Sequence, residues 1–573
     1  MKFIFTLILT FSSALSYAQP ASWLWAKSLG GSIADNGISK TTDLAGNSFL
    51  TGQFNGTSDF DPGSGSFTLT ASNSLSDIFI AKLDSSGDFQ WAKQIGGIAA
   101  DVATAITIAP VNGAIYITGY FGGTADFDPG NGVFNLISAG NQDAFILKLD
   151  SAGEFQWAIK LGSGGNDQGL SITAGSLATG NIYVAGKFNG TVDFNPDTAA
   201  TNLTAIGTSD IFILKLDTAG NFNWARSFTG NGSSDELVLS IAITPDSSAS
   251  IITTGYFSGT TDFDPGSNSF DLTAASRDIF LSKIDSSGDF IWAQQLGGSG
   301  QDQGNDIEID PAGNIYTTGY FSATCDFDPG SNTFNLVSNG GTDIYIAKFD
   351  SNGNLIRANS MGGSGNDFGS YLTVNLTIAA EIYATGGFQA TADFDPGPGI
   401  FSVSSAGGLD IFVLKTDTAH TLEWVERIGS SGSEYGLTIS STPSGIVTVN
   451  GVYASPSINF GATTLNNQSI TNTDIFIARL ETQLVTGVAT SSTVLSQIII
   501  FPNPSNGRIT ISNPGLKFQQ LTITDLTGKV VYSERMNTID TITADPGNLK
   551  AGLYMVTISS PEMQITKKLI IEN

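Results

Sequence analysis

The chain has 573 residues, 67 of them glycine, and only 13% are charged, with 52 Asp and Glu against 24 Lys and Arg and a formal net charge of −28. That balance repels nucleic acid and anionic lipid, so neither is expected as a partner, while 40% hydrophobic content with 37 Phe excludes a disordered acidic tail. One Cys and one His exclude a disulfide framework and a Cys/His zinc site.

Residues 1–18, MKFIFTLILTFSSALSYA, predict a secretory signal peptide. Lys2 supplies the charged start, Phe3 to Leu9 the apolar stretch, and Ser16-Tyr17-Ala18 a small-x-small site that places cleavage between Ala18 and Gln19. The apolar run is too short to span a bilayer and no later window is longer, so no transmembrane segment is expected. Export without disulfides leaves stability to packing.

Residues 19–484 repeat seven times. DFDPG recurs at Asp59, Asp126, Asp262, Asp326 and Asp393, with DFNPD at Asp193 and a degenerate INFG around Asn459, at spacings of 67, 67, 69, 64, 67 and 66. A second string, D-[IA]-[FY]-x-x-[KR]-x-[DE], opens at Asp77, Asp143, Asp210, Asp278, Asp343, Asp410 and Asp474. A third centres on Trp25, Trp91, Trp157, Trp224 and Trp292, with Arg357 and Trp424 in the same register. Within a repeat everything reads as strand: in the fifth, DIEIDPAGNIYTTGYF makes one hairpin, and DIYIAKFD with NLIRANS makes a second around Ser351-Asn352-Gly353. Four strands per repeat of about 67 residues, seven times over, predict an all-β, seven-bladed β-propeller. Because a Trp strand precedes the first repeat and none follows the last, the N-terminal strand is expected to complete the last blade and remove the exposed edges. The GNIYTTGYF … DIYIAKFD … W pattern resembles the SBBP family of propeller repeats over Trp23 to Glu481; that resemblance implies fold and a cell-surface setting, and no defined activity.

Two sets of acids are candidate ligand residues. In a strand, i and i+2 share a face. Asp59 and Asp61, Asp126 and Asp128, Asp262 and Asp264, Asp326 and Asp328, and Asp393 and Asp395 therefore present paired carboxylates that a Ca²⁺ ion would reconcile. The competing reading is an Asx-type turn before Pro. The second set follows Gly/Ser-rich turns: Asp35, Asp101, Asp167, Asp235, Asp302, Asp367 and Glu434. These form a ring at a channel mouth for cations or glycans, or else accept N–H bonds within their own turns. No catalytic residue is assigned, because equivalent acids in equivalent repeats lack the unlike environments that acid–base chemistry needs. His420 stands where other repeats have a turn glycine, and Cys325 where they have a small packed residue.

Residues 485–497 are an uncharged Ser/Thr/Val-rich linker, and 498–573 read as short alternating strands of a small Ig-like β-sandwich. Pro502-Asn503-Pro504, Gly507, Gly552-Leu553-Tyr554 and the terminal Lys568-Leu569 stretch closely resemble the type A C-terminal sorting domain of the type IX secretion system of Bacteroidota. That resemblance implies the secretion machinery as a partner and delivery to the outer surface or beyond. The resulting expectation is a secreted or surface-attached monomer. It serves as a non-catalytic binding or adhesion protein for polysaccharide or protein, with calcium as a possible cofactor. A carbohydrate-active enzyme using channel-mouth carboxylates, or a structural surface component, is the alternative.

Overall fold

The computed structural model describes residues 22–72, 75–110, 112–175, 180–195, 200–231, 235–375, 381–442, 444–469, 472–481, 499–501, 509–517, 520–525, 529–535, 539–544, 549–550, 552–559 and 564–571. Every regular element among them is a strand, and no helix is long and apolar enough to cross a membrane. The chain divides into two compact units, Met1–Gln483 and Leu484–Asn573. The signal segment with Ala18 and Gln19, the joint 485–497, and Pro502, Asn503, Pro504 and Gly507 lie outside the described residues.

In the fifth repeat the strands Gln303–Ile309, Ile315–Asp326, Asn335–Phe349 and Leu355–Gly363 lie side by side, antiparallel, in chain order. The Asp343–Phe349 end of its third strand is mostly apolar because both faces are covered there. Tyr345 and Ala347 pack with Ile279 and Leu281 of the fourth sheet, whereas Ile344 and Ile346 pack with Phe412 and Leu414 of the sixth. The cores therefore lie between sheets. The series continues from the seventh sheet to the first, where Ile475 and Ile477 meet Phe79 and Ala81.

The last sheet, Glu434–Ser441, Ile446–Tyr453 and Asp474–Glu481, is completed by the N-terminal strand Ser22–Gly31, in register from Ser22 opposite Glu481 to Leu29 opposite Ile475. The first strands of neighbouring repeats pack beside one another, and Asn36–Thr42 of the first lies beside Glu434–Ser441 of the seventh. On the outer strands, Trp25, Trp91, Trp157 and Trp292 cover the hairpin glycines Gly87, Gly153, Gly220 and Gly353 of the following repeat. These tryptophans are inter-sheet packing. His420 takes the same turn with a left-handed φ of 59°, where Gly353 has 81°, and Cys325 is fully buried.

The insert between second and third strands is itself a hairpin, and it reaches back to the preceding sheet. Ser58 and Asp59 pair with Gly31 and Gly30, Ala125 and Asp126 with Gly97 and Gly96, and Ala392 and Asp393 with Gly363 and Gly362. A Cβ on Gly363 would sit 1.9 Å from the Thr391 carbonyl oxygen, so only glycine admits this strap. Gly363→Ala should cost about 1–3 kcal/mol through overpacking against backbone, read as a lowered unfolding midpoint. Gly164→Ala, with nothing within 4 Å of its Cβ, should leave the midpoint in place.

The second unit has a sheet of Ile499–Phe501, Ile509–Lys517 and Ile539–Ala544, and a sheet of Gln520–Thr524, Val530–Arg535, Gly552–Ser559 and Gln564–Ile571. Ile509 and Ala544 of one sheet pack with Leu521, Tyr554, Val556 and Leu569 of the other. The Tyr554 hydroxyl donates to the Lys550 carbonyl at 2.9 Å. Gly552 opens the third strand of the larger sheet, and Lys568 lies on the fourth.

Candidate functional site

The acids of the loops entering the first strands are buried. Asp35, Asp101, Asp302, Asp367 and Glu434 are 0% exposed and Asp167 is 1%. Asp302 accepts the Ser322 N–H at 3.1 Å, and each of the other five carboxylates bridges two segments of backbone. One oxygen takes the N–H four residues earlier, where the preceding sheet ends, and the other takes an N–H at the end of the repeat's own second strand. Asp367 does so with Gly363 and Gln389, both at 2.8 Å, Asp167 with Ser163 and Asn189, both at 2.7 Å, and Glu434 with Ser430 and Ser455. Loss of water pushes Asp35, Asp101 and Asp302 up to about 7, and Asp367 up to about 6. These acids bind the frame, and their side chains are closed to the surface.

The fourth repeat departs from the expected position. Strand register sets Leu237 opposite Tyr256 as it sets Gln303 opposite Tyr320, so Glu236 is the counterpart of Asp302. Glu236 is buried, while Asp235 turns outward to an ion pair with Arg277 at 2.7 Å. The Arg277 guanidinium also lies 4.2 Å over the Tyr256 ring.

The acids of the straps depart from the arrangement expected of paired calcium ligands and take the geometry of Asx turns. Asp59 Oδ1 accepts the N–H groups of Asp61 and Phe67. Asp126, Asp262, Asp326 and Asp393 each do the same with the N–H two residues on and the N–H eight residues on. The second acid of each strap serves a separate turn. Asp61 accepts the N–H of Gly63, Asp128 that of Gly130, Asp264 that of Gly266, Asp328 that of Gly330 and Asp395 that of Gly397, at 2.8 to 2.9 Å. The correction has a simple cause. In a strand the two carboxylates would share a face, but each strap strand ends at its first acid, and the chain then turns. Asp128, Asp264, Asp328 and Asp395 therefore lie beyond the strand that was to align them with their partners. Among the described residues no three His, Cys, Asp or Glu side chains gather in a metal-ligating group.

Concave space lies elsewhere, between the first strands. A cavity of about 790 Å³ is bordered by the turns between first and second strands, at Asp43, Pro110, Pro245 and Ser441. A second, of about 700 Å³, lies among the middles of the same strands. Ser, Thr and Ile make up about half of each lining; Asp43 and Asp246 lie in the bordering turns, and the charged residues on the strands themselves are Lys40, Asp306 and Glu308. Asp306 stands where the other repeats have Ser39, Ala105, Ser171, Ser240, Tyr371 and Thr438, and Glu308 where they have Thr41, Thr107, Thr173, Ala242, Thr373 and Ser440. Lys40 replaces Ile106, Ile172, Ile241, Ile307, Leu372 and Ile439.

Asp306 accepts the Ser240 hydroxyl at 2.9 Å and the Leu372 N–H at 3.0 Å, and Glu308 accepts the Val374 N–H at 2.8 Å. Burial pushes Asp306 up to about 7, and burial with the nearby Asp306 pushes Glu308 up to about 8. Both acids raise the titration of the neighbouring Tyr371 phenol. On the other side Lys40, 6% exposed, donates to Ser440 Oγ, and burial brings it down to about 7. Neither acid was among the expected site residues. The signal was legible all the same, in the string NDIEI set against LSITA and TAITI.

Comparison with known proteins gives the class. Residues 291–320 match the family model described as a beta-propeller repeat (SBBP), and residues 499–572 match that of the secretion system C-terminal sorting domain. The chain thus combines β-propeller repeats with a type IX sorting tail, which indicates export to the outer surface or secretion. A WD repeat-containing protein of Acanthamoeba polyphaga mimivirus is 24% identical over 516 residues, covering 77% of this chain and 37% of the relative. The regulatory protein FlaEY of Caulobacter vibrioides is 27% identical over 204 residues, covering 35% and 20%. The chain therefore spans about a third or less of these relatives' lengths. The crystal structure of Sqt1 from Chaetomium thermophilum aligns over 81% of this chain and 100% of that one, at 9% identity and a TM-score of 0.35.

Lys40 gives a test of the cavity wall. An ammonium held among apolar strands is costly, and replacing such a group by a hydrophobic residue of similar volume gains about 1–4 kcal/mol. Lys40→Ile should raise the unfolding midpoint. The native Lys40 binds its proton more weakly than the unfolded one, so its penalty is largest in acid and fades as pH rises toward the ordinary lysine range. The gain in midpoint should shrink in the same direction.

Proposed function

We propose that residues 22–481 form a closed seven-bladed β-propeller exported by the type IX machinery, which binds a hydroxyl-rich polysaccharide outside the cell and does not turn it over. The observation that carries this reading is that, on the first strands lining the cavities, charged side chains come from two repeats, as Lys40 and as Asp306 with Glu308. Sevenfold repetition maintains the frame, and Asp306, Glu308 and Lys40 break it where space opens. Convergent polar groups on the wall of a preformed cavity suit ligand recognition.

The enzyme reading is weaker on the same residues. Asp306 already accepts the Ser240 hydroxyl and the Leu372 N–H, and Glu308 the Val374 N–H, so neither stands free as the nucleophile or base a glycosidase needs. Glu308, pushed up to about 8 by burial, is a hydrogen-bond donor at neutral pH. The strap acids already hold backbone N–H groups, so calcium is assigned no required part in binding.

Two experiments test the proposal. The purified mature chain, screened against polysaccharides in calcium and again in chelator, should retain a specific glycan in both. Glu308→Ala, with its fold intact, should weaken retention about fivefold, the equivalent of one lost neutral hydrogen bond at about 1 kcal/mol. Equal retention by Glu308→Ala would move the site off the channel, and loss in chelator would make the strap acids metal ligands. Separately, a chain lacking 499–572 should accumulate inside the producing cell instead of at its surface. Surface delivery without the tail would remove the export assignment.

A further inference from the structure

For five of the buried loop acids a second buried acid lies close by. It opens the third strand of the preceding sheet: Asp77 beside Asp101, Asp143 beside Asp167, Asp278 beside Asp302, Asp343 beside Asp367, and Asp474 beside Asp35. Charge repulsion acts within each of these pairs. The third-strand carboxyl lies flat on a fourth-strand glycine. A Cβ on Gly30 would fall 2.7 Å from Asp474 Oδ1 and 3.1 Å from Asp35 Oδ2, which puts the two oxygens around one point. The Oδ2 atoms of Asp343 and Asp474 accept loop N–H groups from Asn339 and Gln468. Their Oδ1 atoms are buried and have no partner, as are those of Asp77, Asp143, Asp278 and Asp410.

Two carboxylates packed together out of water cannot both stay ionised without help. The fourth strand supplies that help from one position, opposite the Phe or Tyr that follows the acid by two. Lys160 there reaches Asp143 at 3.2 Å, and Arg427 reaches Asp410. Gln94 and Gln295 donate to Asp77 and Asp278 at 2.7 and 2.6 Å. At the same position beside Asp474 and Asp343 stand Ser28 and Ser360, which bring no charge.

We propose that Asp35 with Asp474, and Asp343 with Asp367, each share a single proton in mildly acid solution, and that this proton does in their joints what Lys160 and Arg427 do in the equivalent ones. The proton bridges Oδ1 of the third-strand acid and the loop acid, supplying the partner that this oxygen lacks. The ionisable groups facing these pairs are the partner acid in each case and the Tyr453 phenol beside Asp474. One of the two joints is the seam where the N-terminal strand completes the last sheet.

Burial holds Asp474, Asp343 and Asp367 up to about 6 and Asp35 up to about 7, above the unfolded value near 4. The folded chain therefore binds more protons than the unfolded one between these values. Its contribution to stability is complete below about pH 4 and is lost as pH rises through about 6 to 7. Other buried acids add to the same trend, so variants must isolate these pairs.

The test is the unfolding midpoint of the full chain between about pH 5 and about pH 9. Wild type should lose midpoint on going alkaline. Ser360→Lys, which copies Lys160, and Asp343→Asn, which cannot ionise, should each lose measurably less. Infrared spectra at about pH 5 should show a protonated-carboxyl band that Asp343→Asn diminishes, a readout that survives even where a variant alters stability. An alkaline loss identical in wild type and both variants would overturn the proposal. So would an undiminished carboxyl band, or full restoration of the alkaline midpoint by Ca²⁺, which would make the bridging species a metal ion.

Discussion

The frame depends on one interaction repeated around the chain, a dry carboxylate between two backbone segments. A sheet that ends in Gly-Gly cannot hold its neighbour through side chains at that point. The loop acid does it instead, drawing one N–H from the sheet just finished and one from the sheet just begun. Charge-assisted bonds of this kind are stronger than neutral ones, and burial keeps water from competing. The cost is a buried charge, and the raised titration of Asp35, Asp101 and Asp302 records it.

Much else follows from that joint. The glycines that receive the acid also admit the insert hairpin, which lies against the end of the previous sheet at contact distance. Tryptophans of the outer strands then close the periphery over the next hairpin turn. Apolar packing between sheets supplies the bulk of the driving force, while the acids, straps and tryptophans fix the angle at which one sheet meets the next.

The repeats, their strands and the returning N-terminal strand were legible in the sequence because they follow from alternation, turn residues and the phase of Trp25 against Asp474. Asp367 as an acceptor of turn N–H groups was legible as well, since Asp after Gly/Ser has few other uses. Two things were hidden. The backward reach of the straps depends on pairing across repeats, which a string such as DFDPG does not encode. The offset at Asp235 was hidden because two adjacent acids, Asp235 and Glu236, fit the spacing equally, and only strand register separates them. Asp306 and Glu308 were visible but overlooked, since markers chosen for sameness pass over the residues that differ.

The seam between the chain's ends has a kinetic side. The strand at Ser22–Gly31 precedes the other described strands, yet its partner Asp474–Glu481 comes last in the first unit. The longest loop in the molecule must close before the seventh sheet gains its outer edge. Loop-closure entropy rises only slowly with length, but such distant pairing slows folding. Until it forms, Asp474–Glu481 presents an unpaired edge and Ser22–Gly31 an unpaired strand. The first unit is thus joined at a point that only its final strand can reach.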